Sequence, residues 1–147
     1  EPRVFLPLER DLVVNDGDVL TLGDTKVILY VTPGHTPGVT SLEFPVKDQE
    51  TSYTAFMFGG HGLNTVNGVM ATEQYIDSVR RVIAMNDLQV NLTNHPGAAE
   101  IFERRDELTS RGDGDPHPYV DPEGFRTYLQ SLLTNATRKL EEELAPN

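Results

Sequence analysis

The hydrophobic positions divide the chain in two. Up to Phe58 they fall in short runs that predict strands: Asp11–Val14, Val19–Leu22, Thr25–Val31, Val39–Pro45 and Ser52–Phe58. Asn15-Asp16-Gly17 and Gly23-Asp24 separate the first three, and both carry hairpin chemistry, because glycine supplies the positive φ that tight turns require. Lys26–Val31 is nearly unbroken apolar sequence, the pattern of a strand buried on both faces. The loop Pro33-Gly34-His35-Thr36-Pro37-Gly38 follows, too rich in proline and glycine to be helix or central strand.

Beyond Phe58 the period changes from two to 3.6. Thr72 reads as an N-cap, and Tyr75, Ile76, Val79, Val82 and Ile83 form one apolar stripe behind it. Leu88–Leu92 is a short strand leading into Thr93-Asn94-His95-Pro96-Gly97. Ala98–Arg111 reads as helical in part, and Arg111–Val120 as a loop. Asp121-Pro122 is a helix start, with a capping carboxylate followed by proline at the first helical position. Phe125, Leu129, Leu132, Ala136, Leu140 and Leu144 then mark one face of a helix of about 23 residues, roughly 34 Å long. Glu141-Glu142-Glu143 opposes the helix dipole, which predicts a frayed last turn. The order of strands, helix, strand, helix, helix predicts an α/β (α+β) fold: a mixed sheet with helices on one face. The other face needs a cover that this chain does not obviously supply.

Composition narrows the chemistry. The 147 residues carry 12 Lys+Arg against 23 Asp+Glu, a net charge of −11, which argues against nucleic acid as a partner. No apolar run is long enough for a membrane span. With no cysteine, disulfides, thiolate-bound zinc and thiol nucleophiles are excluded. The compartment stays open, with a lean to a secreted or periplasmic one. The chain opens on Glu1-Pro2-Arg3 rather than Met, which reads as a processed product or a piece of a longer protein.

A metal site here must use His, Asp or Glu, and the histidines are four: His35, His61, His95 and His117. His35 stands in a proline-stiffened loop at the end of a strand, where a ring can be aimed at a ligand. His95 repeats the arrangement at another strand end, the edge at which α/β proteins place ligands. A histidine in a Pro/Gly turn is also an ordinary turn residue, and two imidazoles alone fall short of the three protein ligands of a catalytic zinc.

Val31-Thr32-Pro33-Gly34-His35-Thr36-Pro37-Gly38-Val39-Thr40-Ser41 resembles the third histidine motif of the metallo-β-lactamase superfamily. Thr93-Asn94-His95-Pro96-Gly97-Ala98 resembles its last histidine motif, in the form of the β-lactamase subclass with a three-His site and an Asp-His-His site. Phe58-Gly59-Gly60-His61-Gly62-Leu63-Asn64 lies where the family has a strand-end loop over the metals. The resemblance runs from about residue 10 to about residue 140 and corresponds to the C-terminal half of the family domain. It implies half of a four-layer αββα sandwich, with His35 on the three-His zinc and His95 on the second zinc.

Two departures accompany it. The family's first motif, His-x-His-x-Asp-His, is absent, so each zinc would need partners from an N-terminal half or a second chain. The loop after Phe58 has no bridging carboxylate, which matches the named subclass. The resemblance therefore implies a zinc-dependent hydrolase acting on a small cyclic amide or ester, a β-lactam or a lactone, with two zincs per complete site. In that reading His61, Asn64 and His117 are candidate substrate contacts. The alternative is a half-domain without catalysis of its own, which binds a partner chain or dimerises through its exposed sheet face.

Overall fold

The computed structural model describes residues 9–146; residues 1–8 and residue 147, and with them the Glu1 opening, lie outside it. Five strands form one mixed sheet in the order β1 (Val19–Leu22), β2 (Thr25–Val31), β3 (Thr40–Asp48), β4 (Thr51–Met57) and β5 (Val90–Asn91). The first four are an antiparallel meander, and β5 pairs parallel to β4 after a helical crossover. Gly23-Asp24 makes the hairpin turn the sequence predicts, whereas Asn15-Asp16-Gly17 joins no pair of strands, since β1 is the first strand of the described residues. Gly23 takes φ 58° between β1 and β2, and Gln49 takes φ 52° between β3 and β4.

Among the described residues three α-helices accompany the sheet: α1 (Val69–Ile83), α2 (Ile101–Ser110) and α3 (Pro122–Leu144). The register puts Ile28, Glu43, Phe56 and Asn91 in one row across the sheet, with Tyr30 on the same face. On this face the stripes of α1 and α3 meet Phe56 and Phe58. Tyr75, Ile76, Val79 and Val82 of α1 pack there with Phe125, Leu129, Leu132 and Ala136 of α3. The opposite face carries Leu20, Val27, Leu29, Leu42, Phe44 and Met57, and neither α1 nor α3 covers it. Helix α2 lies against the β5 end of this second face, where its Ile101 and Leu108 line a hollow with Val46, Tyr53, Val90 and Leu92.

Several local readings need correction. Among the described residues Asp11–Val14 joins no ladder and β1 is the sheet's edge, and Leu12 and Val13 are exposed. In β2 only Leu29 is buried. That strand lies next to the edge strand, and the helices reach it only at Tyr30, so its apolar run is not enclosed on both sides. The strand at Leu88–Leu92 shortens to Val90–Asn91, extended by Gln89 N–H to Thr54 O and Leu92 N–H to Phe56 O.

Thr72 is not an N-cap. Helix α1 starts three residues earlier, after Gly68, which has no capping side chain of its own. The cap comes from Glu143 at the far end of α3, which accepts hydrogen bonds from Gly68 N–H at 3.1 Å and the Thr72 hydroxyl at 2.7 Å. A carboxylate that opposes its own helix's dipole thereby serves the N-terminus of its neighbour, and α3 stays helical through Leu144. Asp121 caps α3 as its sequence predicts, accepting from Gly124 N–H at 2.8 Å.

Candidate functional site

The loop after β2 is closed by Thr32 N–H to Val39 O at 3.0 Å. Gly34 adopts φ 131° and lies so close to α1 that a Cβ there would collide with the backbone of Tyr75. The Ser78 hydroxyl donates to Pro33 O at 2.7 Å from the same helix. The loop is thus pressed onto α1, which fixes the direction of His35. His35 Nδ1 lies 2.5 Å from Gly62 O. A carbonyl only accepts, so Nδ1 carries the proton and Nε2 keeps its lone pair. The Thr65 hydroxyl donates to His35 O at 2.9 Å and stands 3.0 Å from the ring's Nδ1.

Two more strand-end loops are tied to the first. Gly59 N–H donates to the Ser41 hydroxyl at 3.1 Å, and that hydroxyl pairs with Thr32 Oγ1 at 2.7 Å in a buried contact. Asn94 Nδ2 donates to Gly59 O at 3.3 Å, joining the loop after β5 to the loop after β4. His95 is exposed and heads a short 3₁₀ turn, Pro96–Ala98. Gly60 packs against His35, where a Cβ would come within 3.1 Å of the histidine's own Cβ.

His61 projects from the middle loop towards both other histidines. Its ring centroid is 5.2 Å from that of His95, at an interplanar angle of 44°. On its other side it stacks on Tyr128 of α3, with centroids 5.7 Å apart and the rings 10° from parallel. The Tyr128 hydroxyl is 2.8 Å from His61 Nδ1, and the Tyr75 hydroxyl donates to His61 O at 2.8 Å. Burial lowers the His61 pKa, and the neighbouring His95 and His35 lower it further, so the neutral imidazole is favoured. Burial pushes the Tyr128 phenol up to about 12, keeping it protonated.

The sheet's loop edge therefore gathers His35, His61 and His95. Asn64 is on the same loop as His61, exposed, with its side chain folded back over Gly62. His117 is held elsewhere. It lines an apolar hollow of about 360 Å³ with Val46, Tyr53, Leu108 and Tyr119, its ring 5.8 Å from that of Tyr119. Among the described residues, no three His, Asp or Glu side chains stand close enough to enclose a metal ion. What the donor set offers is imidazole nitrogen, and it suits zinc. Sequence reasoning missed the supports, namely Thr32, Ser41, Thr65, Tyr75 and Tyr128. The sequence marks Tyr75 only as a member of the α1 stripe, and it does not single out Tyr128 at all.

A solved structure decides the family. The crystal structure of BJP-1, a subclass B3 metallo-β-lactamase of Bradyrhizobium japonicum, matches 95% of this chain at 30% identity with a TM-score of 0.80. The chain belongs to the metallo-β-lactamase superfamily. It covers 53% of that relative, so it spans about half the length of the metallo-β-lactamase chains it matches and corresponds to the C-terminal half of their domain. FEZ-1 from Legionella gormanii matches 90% of the chain at 25% identity and a TM-score of 0.81, with 52% of its own length covered. At 21% identity, GOB-18 from Elizabethkingia meningoseptica shares the metallo-β-lactamase fold with a TM-score of 0.73, over 94% of this chain and 52% of its own. No protein-family model matches the chain, and no curated protein does.

Proposed function

We propose that this chain supplies half of the active site of a zinc-dependent hydrolase that opens a cyclic amide or ester, a β-lactam or a lactone. The observation that carries the reading is the convergence of His35, His61 and His95 from three loops at one sheet edge, in a chain related to metallo-β-lactamases. Bound zinc supplies a Lewis acid for the scissile carbonyl and lowers the pKa of water. The chain's own residues aim and hold. Gly62 O fixes the His35 tautomer so that Nε2, 3.3 Å from the Thr65 hydroxyl, keeps the lone pair that would bind the first zinc. The loop after β5 presents His95 to the second zinc, and the hydroxyl pair Thr32–Ser41 keeps the loops in register. Asn64 at the loop rim is placed to hydrogen-bond substrate, whereas His117 would act from the separate hollow.

The remaining zinc ligands come from an N-terminal half or a second chain bearing His-x-His-x-Asp-His. The part of the second sheet face that the helices leave open, with Leu20 exposed and Val27, Leu42, Phe44 and Met57 half-buried, supports such a partner, since apolar surface of this kind is stabilised by burial. The test is complementation: the chain, a segment carrying that motif, and zinc are mixed and assayed on a chromogenic β-lactam and on a lactone. Hydrolysis above that of zinc with either piece alone supports the proposal, and its absence in a formed complex overturns it.

The same face supports a second reading, a half-domain without catalysis that pairs through its sheet. Val19, Leu20 and Leu22 on the edge strand are 50%, 42% and 86% exposed, enough to seat a second copy. A stable dimer of this chain that excludes the motif-bearing segment would favour that alternative.

A further inference from the structure

The geometry points to His61 and His95 as two ligands of one divalent metal ion, with His61 binding through Nε2. The family resemblance gives His61 only a substrate contact, so this assignment enlarges the metal set that it implies. The inference rests on the proposed zinc chemistry and adds a residue to it.

Three observations carry it. First, the spacing fits. Zinc–nitrogen bonds of ~2.0–2.1 Å at a tetrahedral angle put two imidazole centroids about 5 Å apart. The His61 and His95 centroids are 5.2 Å apart, with the rings inclined by 44° rather than stacked. Second, the two nitrogens of His61 are already divided between tasks. Nδ1 is 2.8 Å from the Tyr128 hydroxyl, and among the described residues Nε2 has no hydrogen-bond partner. A phenol oxygen accepts as well as donates, so Tyr128 can take the hydrogen bond of His61 Nδ1–H. That is the arrangement metal-bound histidines use, one nitrogen on the ion and the other N–H on an outer acceptor. Third, the ring is immobilised before any ion arrives. Tyr128 stacks on one face at 10°, and the Tyr75 hydroxyl holds His61 O.

Two imidazoles do not close a zinc shell, so water or the missing half's ligands complete it. The chain alone should still bind, because the pair is preorganised. Tyr128 is a positioning residue in this scheme: it acts through His61 and touches no metal.

The experiment titrates the 147-residue chain with Zn²⁺ by calorimetry, and follows the histidine ring nitrogens by NMR. His61→Ala and His95→Ala should each weaken Zn²⁺ binding tenfold or more. His61→Gln, which keeps a polar group beside Tyr128, should weaken it equally, guarding against a loss that reflects only a collapsed loop. Tyr128→Phe should weaken it by about tenfold. In the wild-type chain, Zn²⁺ should shift the His61 Nε2 resonance and leave Nδ1 protonated. Wild-type affinity in both His61 variants overturns the inference, and so does a His61 Nε2 proton that persists at saturating zinc. Zinc binding that fails in His35→Ala but survives in His61→Gln would sink this assignment and leave the hydrolase proposal standing. A chain that binds no Zn²⁺ at millimolar concentration also overturns the pair, whereas the hydrolase proposal is judged by complementation.

Discussion

Glu143 accepts a hydrogen bond from the Thr72 hydroxyl at 2.7 Å, joining the last turn of α3 to the first turn of α1. Lys139 approaches the same carboxylate at 3.0 Å from one turn earlier. The contact spans most of the second half of the chain, and it gives α1 the cap that Gly68 lacks. Glu143→Ala should lower the thermal midpoint and fray both helix ends. Glu143→Gln, which keeps an acceptor but no charge, should recover part of the loss. Equal midpoints for the wild type and Glu143→Ala would show that the cap contributes nothing.

Asp121 gives a pH signature. Its carboxyl is held below the usual carboxylate range, first by the Arg104 guanidinium at 2.7 Å and then by Gly124 N–H. A depressed folded pKa means that the stabilisation is fully present above the unfolded value of ~3.9 and is lost as pH falls through the folded value. Asp121→Ala should cost about 1 kcal/mol near neutral pH, the usual worth of an N-cap. The gap to wild type should then close as denaturation curves are taken from pH 5 downward. A gap that stays constant to pH 2 would assign the loss to packing rather than to the carboxylate.

Gly34 tests how firmly the His35 loop is built. With φ at 131° and α1 backbone against it, Gly34→Ala strains the backbone and displaces the loop. The expected result is a folded but less stable protein in which the His35 ring resonances move and Zn²⁺ binding in the complemented enzyme falls. Unchanged His35 resonances would mean that the loop holds its course without the close approach.

In the complemented enzyme, His35→Ala and His95→Ala should each lower hydrolysis by orders of magnitude and remove about one zinc. Asn64→Ala should raise KM and leave kcat largely in place. His117→Ala should do little beyond a modest effect on affinity. Elemental analysis beside rate measurements on the four variants separates these outcomes. Full zinc content in both His35→Ala and His95→Ala would show the ligands to be misassigned.

Much of this was legible in the sequence, for identifiable reasons. The strands β1–β4 announced themselves through short β-rich runs and the turn chemistry at Gly23-Asp24, and α3 through Asp121-Pro122 and its apolar spacing. Those signals are local, and local physics decided them. What was hidden depends on partners far along the chain. Thr72 resembled a cap because nothing nearby revealed that Glu143 would reach back to it. The exposed side of Val27–Val31 could not be read from an apolar run, because burial depends on what the neighbouring strands and helices cover. At the site, the rigid Pro/Gly loops exposed His35 and His95 as candidates. The support of His61 was hidden because Tyr128 stands outside the apolar stripe read for α3, and nothing local links it to a loop 67 residues earlier.

The topology also sets an order of assembly. The β1–β4 meander is built from neighbours in sequence, so its hairpins close over short stretches of chain, and the His35 and His61 loops are carried at the two ends of one such unit, β3–β4. Strand β5 can join only after α1 has crossed the sheet, the slower kind of closure. His95 travels with β5. The imidazole cluster is therefore completed by the last strand to arrive, and the nascent meander presents two histidines with nothing to share. In pulse-labelled refolding, the Gln89 and Leu92 amides, which bond Thr54 O and Phe56 O, should gain protection after those of β2 and β3. Metal capture, in turn, should reward only chains that have finished that step.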